Sequence, residues 1–152
     1  YAYIAAGNIK EMEKEAEEFY KAASPYKPTY YWLDVEEKTM KDMNAGVEAF
    51  RAKLQALGAK NIGLYIGTYF MEEHSISTDK FTALWIPTYG FDDGYYNAAP
   101  DTNTEYDLHQ YTSQGQLNGF SHYLDLNQIA PTQDQEAIYR KLFKVQKDNS
   151  SS

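Results

Sequence analysis

The 152-residue sequence contains no cysteine, few basic residues and no long apolar run, and each absence excludes a class of function. Without cysteine there can be no disulfide scaffold, thiolate zinc site or cysteine nucleophile. The chain has 14 Lys and Arg against 22 Asp and Glu, a net charge of −8, and so lacks the basic face that nucleic acids and anionic membranes require. No apolar stretch approaches the roughly 20 residues of a membrane-spanning helix. The sequence therefore predicts no nucleic-acid partner and no membrane insertion.

Tyrosine is abundant, with 15 Tyr beside 7 Phe and 2 Trp. Its side chain combines a flat apolar face with a hydroxyl, which suits stacking on sugar rings and hydrogen bonding to their hydroxyl groups. Strands favour aromatic residues in any case, so the same composition is also typical of a tyrosine-rich sheet or barrel interior. Composition alone leaves both interpretations open.

Two helices are predicted in the first half of the sequence. Asn8 and Glu11 form a capping-box pattern ahead of the first apolar stripe of helical period. Thr39 and Asp42 mark the start of the second, and Gly58 supplies its stop. Apolar runs typical of buried strands lie around these helices, at residues 1–5, 30–35 and 62–66. The resulting β-α-β-α-β order favours parallel strands joined by helical crossovers.

The second half of the sequence changes character. The pattern predicts a short helix over residues 77–84, a strand over 85–89, a loop over 91–105 and short strands over 108–112, 116–120 and 123–126, with turns at 113–115 and 121–122. Thr132 and Gln135 are expected to cap a last helix that runs to Phe143. The polar, serine-ending remainder predicts a linker. We therefore divide the chain into a domain over residues 1–143 and a polar tail or linker over residues 144–152.

A pair of acids at the end of the second predicted strand is the strongest local signal for chemistry. Asp34 and Glu36 are two residues apart, so their side chains point to the same face with Cα atoms roughly 6–7 Å apart. Two carboxylates this close cannot both ionise freely, and one pKa should rise. Such a pair suits proton donation to a glycosidic oxygen. The alternative is a solvated acidic turn that leads into a helix.

Asp125 is a second candidate because it lies in an otherwise apolar strand-like segment, where a charge is costly unless paired or functional. An Asx turn or a strand end would also explain it. His74, His109 and His122 include no pair at metal-ligand spacing, and Asp92-Asp93-Gly94 lacks the other ligands of a calcium loop. The sequence therefore predicts no metal site and no cofactor.

Six segments follow one another in an order that belongs to a known family. They are Tyr1-Ala2-Tyr3, Tyr31-Trp32-Leu33-Asp34-Val35-Glu36, Gly63-Leu64-Tyr65-Ile66-Gly67, Leu84-Trp85-Ile86-Pro87-Thr88-Tyr89-Gly90, Leu108-His109-Gln110-Tyr111-Thr112 and Leu124-Asp125-Leu126-Asn127. In these segments the chain resembles the glycoside hydrolase family 25 muramidases, the Chalaropsis-type lysozymes of phage endolysins and bacterial autolysins. The resemblance implies an irregular (β/α) barrel with parallel strands first and antiparallel strands late. It also implies cleavage of the β-1,4 bond between N-acetylmuramic acid and N-acetylglucosamine in the glycan strands of peptidoglycan.

The resemblance also implies roles for particular residues. Glu36 is expected to be the general acid and to protonate the glycosidic oxygen, while the other two catalytic acids, Asp34 and Asp125, stay ionised around it. The expected substrate-binding residues are Tyr65, Trp85, Gln110, Tyr31 and Tyr3. An antimicrobial lysozyme of this kind would act outside the cell or in the cell wall, after release from phage-infected or autolysing bacteria.

The sequence departs from the family pattern at its front. The family opens with strands that carry an Asp-x-Ser motif, whose aspartate belongs to the same acidic site, whereas this sequence starts near the family's third strand. We therefore expect the functional polypeptide to extend upstream of Tyr1, or a second chain to complete the barrel. We also expect a wall-binding module after the polar tail. The competing hypothesis is a non-catalytic fragment that binds cell wall through the aromatic groove.

Overall fold

A computed structural model of the chain describes residues 1–116, 118, 121–131 and 134–143. Its strands are β1 (Ala2–Tyr3), β2 (Tyr31–Val35), β3 (Ile62–Ile66), β4 (Ala83–Pro87), β5 (Leu108–Gly115) and β6 (Leu124–Ile129). Its α-helices are α1 (Ile9–Ala23), α2 (Met43–Leu57), α3 (Thr68–Glu73) and α4 (Gln135–Phe143). The strands form one sheet in the order β1-β2-β3-β4-β5-β6. Neighbouring strands are parallel from β1 to β5, and β6 is antiparallel to β5, as the sequence predicts.

Both predicted helix starts are confirmed by their caps. Asn8 Oδ1 accepts a hydrogen bond of 2.9 Å from the backbone N–H of Glu11, and the Glu11 carboxylate accepts one of 3.0 Å from the backbone N–H of Gly7. The side chain of Asp42 caps α2 in the same way. This helix ends at Gly58, whose φ of 126° is a conformation that other residues rarely adopt. Local sequence therefore defines α1 and α2 before any packing is considered.

Helices α1 and α2 cover one face of the sheet and build the core there. Met12 of α1 and Phe50 of α2 are fully buried, as are Leu33 and Val35 of β2. Each buried side chain of this size contributes about 1.5–3 kcal/mol relative to an exposed one. The strands β2 and β3 are thus fixed by a packed helix layer, which leaves their other face available for a site.

The second half differs from the predicted elements in several places. Residues 77–82 are not helical; instead the short helix α3 precedes them and β4 begins at Ala83. Strand β5 continues to Gly115 through the predicted turn at 113–115, because its register with β6 shifts at irregularities and the pairing resumes beyond them. The predicted strand over 116–120 lies largely outside the described residues. The loop over 91–105 is confirmed.

Helix α4 is held against the sheet by a polar contact. Lys141 Nζ lies 2.5 Å from Oδ1 of the buried Asp107, whose Oδ2 accepts a hydrogen bond from the backbone N–H of Leu84. At the start of the helix, Asp134 Oδ1 accepts from the N–H of Ala137 at 3.1 Å. The predicted cap residue Thr132 lies outside the described residues.

The lengths and compositions of these helices also bear on membrane association. Across residues 1–116, 118, 121–131 and 134–143, no helix has the length and apolar character needed to cross a membrane.

Candidate active site

A row of side chains crosses the sheet at one level and defines the candidate site. Tyr3 pairs in register with Asp34, Asp34 with Tyr65, and Tyr65 with Trp85. Residues paired in this way across parallel strands point to the same face of the sheet. The row therefore brings residues from four separate segments together on the face opposite α1 and α2.

A cavity of about 300 Å³ opens on this face. It is lined by Tyr1, Trp32, Asp34, Glu36, Tyr65, Trp85, Tyr89, Gln110 and Asp125. The structure thus brings together the three predicted acids and three of the five predicted substrate-binding residues. The volume lies at the lower end of the range of ligand pockets.

The other two predicted substrate-binding residues, Tyr31 and Tyr3, do not line the cavity. Tyr31 belongs to the opposite face of β2, where it is buried and its ring lies 5.7 Å from the rings of Phe19 and Tyr20. Strand alternation explains this placement, because Tyr31 is an odd number of residues from Asp34. Tyr3 is 43% exposed at the end of the row, and its hydroxyl is within hydrogen-bonding reach of Glu37.

Asp34 in β2 and Glu36, which follows the end of that strand, are electrostatically coupled. Burial, a hydrogen bond with Glu36 and the negative charge of Glu36 raise the pKa of Asp34 to about 7, against an ordinary value of 3.8. Oδ1 of Asp34 is buried and has no hydrogen-bond donor among the described residues. The rise in pKa therefore falls on the more buried acid, Asp34, which the sequence analysis expected to stay ionised.

Aromatic side chains form one wall of the cavity. The Trp32 indole lies over Gly63, where a Cβ atom would come within 2.4 Å of the indole ring. Trp85 meets Trp32 edge to face at 5.5 Å and Tyr65 edge to face at 4.9 Å. Tyr30 stacks on the far side of Trp32 at 5.5 Å. The lack of a side chain at Gly63 is thus what allows the indole to lie flat on the sheet.

A small polar network also lines the cavity. The hydroxyls of Tyr65 and Tyr89 both donate to Oε1 of Gln110, the first at 2.6 Å. Burial raises the pKa of both tyrosines, and the negative charge of Glu36 adds to each rise. Asp125 adds to the rise at Tyr89, which places the late aspartate electrostatically close to this network. Both hydroxyls consequently remain protonated donors at neutral pH.

Two further contacts hold the residues around this network in place. His109, next to Gln110, is fully buried, and its Nε2 lies 2.7 Å from the carbonyl oxygen of Thr88. On the other side, Trp85 Nε1 donates to Oδ1 of Asn127 at 2.8 Å, which joins β4 to β6. Both contacts restrict movement of the chain that carries Tyr89 and Trp85.

Four residues of the site were missed by sequence reasoning: Tyr1, Trp32, Tyr89 and Asn127. Trp32 could have been found from its even spacing to Asp34 and Glu36 on β2. Asn127 could have been found in the same way, because it is two residues from Asp125 on β6. Tyr89 follows β4 by two residues, and no sequence pattern indicates that its hydroxyl turns back towards Gln110.

The described residues also bear on metal binding. In the portion of the chain that the structure describes, no group of three or more His, Cys, Asp or Glu side chains is arranged to hold a metal ion.

Comparison with known proteins identifies the family. The family model "Glycosyl hydrolases family 25" matches residues 1–120. The comparison with curated protein sequences returned no match.

Solved structures agree with this assignment. A glycosyl hydrolase 25 of Streptococcus pneumoniae, GHIP, described as a virulence factor that participates in host cell invasion, is 62% identical with a TM-score of 0.93. The match covers 95% of this chain and 63% of that one. The catalytic domain of an endolysin from a Listeria monocytogenes bacteriophage is 26% identical with a TM-score of 0.77, covering 92% of this chain and 68% of that one.

The CTP1L endolysin is 27% identical with a TM-score of 0.71, and the match covers 92% of this chain and 48% of that one. The chain thus spans less than two thirds of the pneumococcal protein and about half of this endolysin. The family model covers most of the chain and the pneumococcal structure superimposes on nearly all of it. The chain belongs to glycosyl hydrolase family 25 and has the family's lysozyme-type fold.

Proposed function

We propose that the protein is a peptidoglycan hydrolase that cleaves the β-1,4 bond between N-acetylmuramic acid and N-acetylglucosamine. The observation that carries this proposal is the cavity in which Asp34, Glu36 and Asp125 lie together, and in which burial raises the pKa of Asp34 to about 7. A carboxyl that keeps its proton near neutral pH can act as an acid under the conditions in which cell walls are cleaved. The endolysin relatives support peptidoglycan as the substrate class.

The cavity is suited to a sugar. Trp32 and Trp85 offer aromatic surface for the apolar face of a pyranose ring, and the Tyr65–Tyr89–Gln110 network offers hydroxyl and amide groups for its polar edge. Amino sugars that carry neutral acetamido groups would not suffer charge repulsion in a cavity that also contains three acids. Substrate binding and proton donation therefore use different sides of the same cavity.

The acid pair supplies the proton for bond cleavage in this proposal. Glu36 is the exposed member and Asp34 the more buried one, so Glu36 delivers the shared proton to the glycosidic oxygen. The bond from that oxygen to the anomeric carbon breaks, and the departing sugar leaves as a neutral alcohol. The positive charge that develops on the remaining sugar faces the carboxylates of Asp34 and Asp125. The oxygen of a water molecule then bonds to that anomeric carbon, and one proton of the water passes to the acid pair, which returns the pair to its starting state.

The binding partner and the site of action of the protein follow from the proposed activity. Peptidoglycan glycan strands are the partner, and the site of action is outside the cell or in the cell wall, after release by phage or by autolysing bacteria. We also propose that residues 1–143 form the catalytic domain. The predicted linker over residues 144–152 lies outside the described residues. The upstream segment or second chain, the wall-binding module and an antimicrobial action likewise remain predictions.

Analysis of the cleavage products tests the proposed function. Purified cell walls are incubated with the protein, and the released fragments are reduced and examined by mass spectrometry. New reducing ends on N-acetylmuramic acid are expected. Reducing ends on N-acetylglucosamine would contradict the bond specificity, and wall binding without any new reducing end would favour the non-catalytic wall-binding fragment.

A further inference from the structure

Asp92 attaches the loop that follows β4 to strand β5. Its Oδ1 accepts hydrogen bonds of 2.7 Å from the Thr112 hydroxyl and from the Ser113 backbone N–H, and its Oδ2 accepts one of 2.6 Å from the Ser113 hydroxyl. These donors, chiefly the Ser113 hydroxyl, hold the pKa of Asp92 below its ordinary 3.8, so the carboxylate is charged at neutral pH. One ionised side chain of the loop thus accepts three hydrogen bonds from two neighbouring residues of β5.

The same loop approaches β5 closely at Gly94. The Gly94 N–H donates to the Thr112 hydroxyl oxygen at 3.1 Å, and a Cβ atom at Gly94 would lie 2.9 Å from the carbonyl oxygen of Gln114. Gly94 has a φ of 91°, a conformation that glycine adopts readily and other residues rarely do. In contrast, the Asp93 carboxylate accepts from the N–H of Tyr95, inside the loop. Asp92 and Gly94 are therefore the residues of the Asp-Asp-Gly segment that fit the loop to β5.

Tyr89 of the catalytic cavity lies between two attachments of the chain to β5. Before it, the Thr88 N–H donates to the carbonyl oxygen of Gln110 at 2.9 Å. After it, the Asp92 N–H donates to the Tyr89 carbonyl oxygen at 3.2 Å and closes a turn in which Gly90 has a φ of 63°. The Tyr89 hydroxyl donates to Gln110 of the same strand. The Asp92 carboxylate thus holds the chain on the side of Tyr89 that β4 does not hold.

We propose that Asp92 is a positioning residue for glycan binding in the catalytic cavity, because its attachment to Thr112 and Ser113 fixes the turn that carries Tyr89. This inference rests on the proposed function for the identity of the ligand. Asp92 lies outside the lining of the cavity and acts through the Tyr89 hydroxyl. Without the attachment the turn loosens, the hydroxyl leaves Gln110, and the sugar loses one polar contact while the acids stay in place.

Hydrolysis of soluble glycan strands tests the proposal with matched variants. Asp92→Gly removes the carboxylate and keeps the φ of 49°, which glycine adopts readily. It should raise KM about 2- to 12-fold, the value of one neutral hydrogen bond, with kcat within about twofold of the parent. Asp92→Asn keeps an acceptor oxygen for Thr112 and Ser113 and should recover most of the parent's KM.

Asp93→Gly is the matched control, because it removes a neighbouring carboxylate and adds the same flexible residue to the same loop. Its KM should equal that of the parent. An unchanged KM in Asp92→Gly, or an equal rise in Asp93→Gly, would overturn the proposal.

A double-mutant cycle separates positioning from a general effect on folding. In a Tyr89→Ala background, Asp92→Gly should raise KM no further, because the side chain that Asp92 positions is gone. A further rise of the same size would overturn the proposal. If Asp92→Gly does not fold, Ser113→Ala carries the same test, since it removes the donor to Oδ2 and keeps the Ser113 N–H. It should raise KM about twofold in the parent and leave it unchanged in the Tyr89→Ala background.

The ring NMR signals of Tyr89, assigned by their absence in Tyr89→Ala, separate this inference from the proposed function. They should shift in Asp92→Gly and stay in place in Asp93→Gly. If the parent cleaves no glycan but these signals still depend on Asp92, the proposed function fails while the positioning of Tyr89 stands. If glycan is cleaved and the signals do not change in Asp92→Gly, the positioning role is overturned and the proposed function stands.

Discussion

The two faces of β2 differ in composition and in task. On one face, Leu33 and Val35 are fully buried beneath the helices. On the other, Trp32 and Asp34 line a cavity that opens to solvent. Adjacent residues of one five-residue strand thus serve the core and the candidate site alternately, because side chains in a strand point to opposite faces.

This difference shows how an unfavourable site is maintained. An ionised Asp34 in a partly buried position beside Glu36 lowers the stability of the folded chain. The raised pKa of Asp34 reflects this cost. The helix face of the same strand supplies compensating apolar burial. Substitutions of the buried apolar residues on the helix face should therefore lower stability, whereas substitutions of Asp34 and Glu36 should lower activity and leave stability nearly unchanged or improved.

The largest effect is expected from the proposed acid on the cavity face. Glu36→Gln removes the transferable proton and should lower kcat by about 10²- to 10⁴-fold, with little change in the urea midpoint. Glu37→Gln is the matched control, since Glu37 is the next residue, equally exposed and outside the cavity. Release of reducing ends measures both. A Glu36→Gln variant with more than about a tenth of the parent's turnover would remove Glu36 from the role of acid.

The next largest effect belongs to the helix face. Leu33→Ala empties a fully buried position and should lower the free energy of unfolding by about 2–5 kcal/mol. Urea unfolding followed by circular dichroism measures the loss. A cost below about 1 kcal/mol would mean that this face is not the packed one. Any activity of the remaining folded fraction should match that of the parent.

A substitution at Gly63 tests whether the aromatic wall requires a residue without a side chain at this position. Gly63→Ala places a methyl group against the Trp32 indole and should cost about 1–3 kcal/mol of stability while shifting tryptophan fluorescence and weakening sugar binding. Gly67→Ala is the control, because a Cβ atom at Gly67 would meet nothing within 4 Å. If the two variants behave alike, the close approach of the indole is not what requires glycine.

Asp34 is expected to make stability fall as pH rises. The folded chain keeps the Asp34 proton up to a pKa of about 7, whereas the unfolded chain releases it near 3.8. This contribution to stability is present below pH 3.8 and lost between there and pH 7. Asp34→Asn should therefore become relatively more stable, by about 1–2 kcal/mol at pH 8 after allowance for partial exposure.

The same variant should change the pH dependence of activity. Loss of the acid's proton sets the alkaline limb of kcat/KM, so the limb near pH 7 should move to lower pH in Asp34→Asn. An alkaline limb that does not move, or a variant that is less stable than the parent at pH 8, would contradict the role given to Asp34.

The smallest effect is expected in the polar network. Tyr89→Phe removes one of two hydroxyls that donate to Gln110 Oε1, and Tyr65 still satisfies that oxygen. The loss of one neutral hydrogen bond is worth about 0.5–1.5 kcal/mol, which should appear as a modest rise in KM with kcat nearly unchanged. A loss as large as that of Glu36→Gln would instead give Tyr89 a part in the chemistry.

Much of the fold could be predicted from local signals. Caps at Asn8 and Asp42, the stop at Gly58 and continuous apolar runs are short-range features, and the structure contains each of them. The second half was harder because its elements depend on pairing. The register shifts that carry β5 through residues 113–115 arise from its contact with β6, and no turn-like composition reveals them.

The candidate site could also be predicted in part, where short-range spacing determines it. Spacing alone put Asp34 and Glu36 on one face, and the family resemblance indicated Asp125 and Gln110. Tyr31 was expected to bind substrate but lies on the face of β2 opposite the cavity, as strand alternation from Asp34 requires. Which of the two acids holds the proton depends on their relative burial, and the spacing of the residues in the sequence does not indicate which is more buried.

Titration of the Asp34 carboxyl carbon by NMR, in the parent protein and in Glu36→Gln, tests most directly the claim that the pair holds a proton near neutral pH. The parent should titrate with a midpoint of about 7, and the midpoint should fall in the variant because the neighbouring negative charge is gone. A midpoint near the ordinary 3.8 in both proteins would show that the pair holds no such proton and would contradict the account.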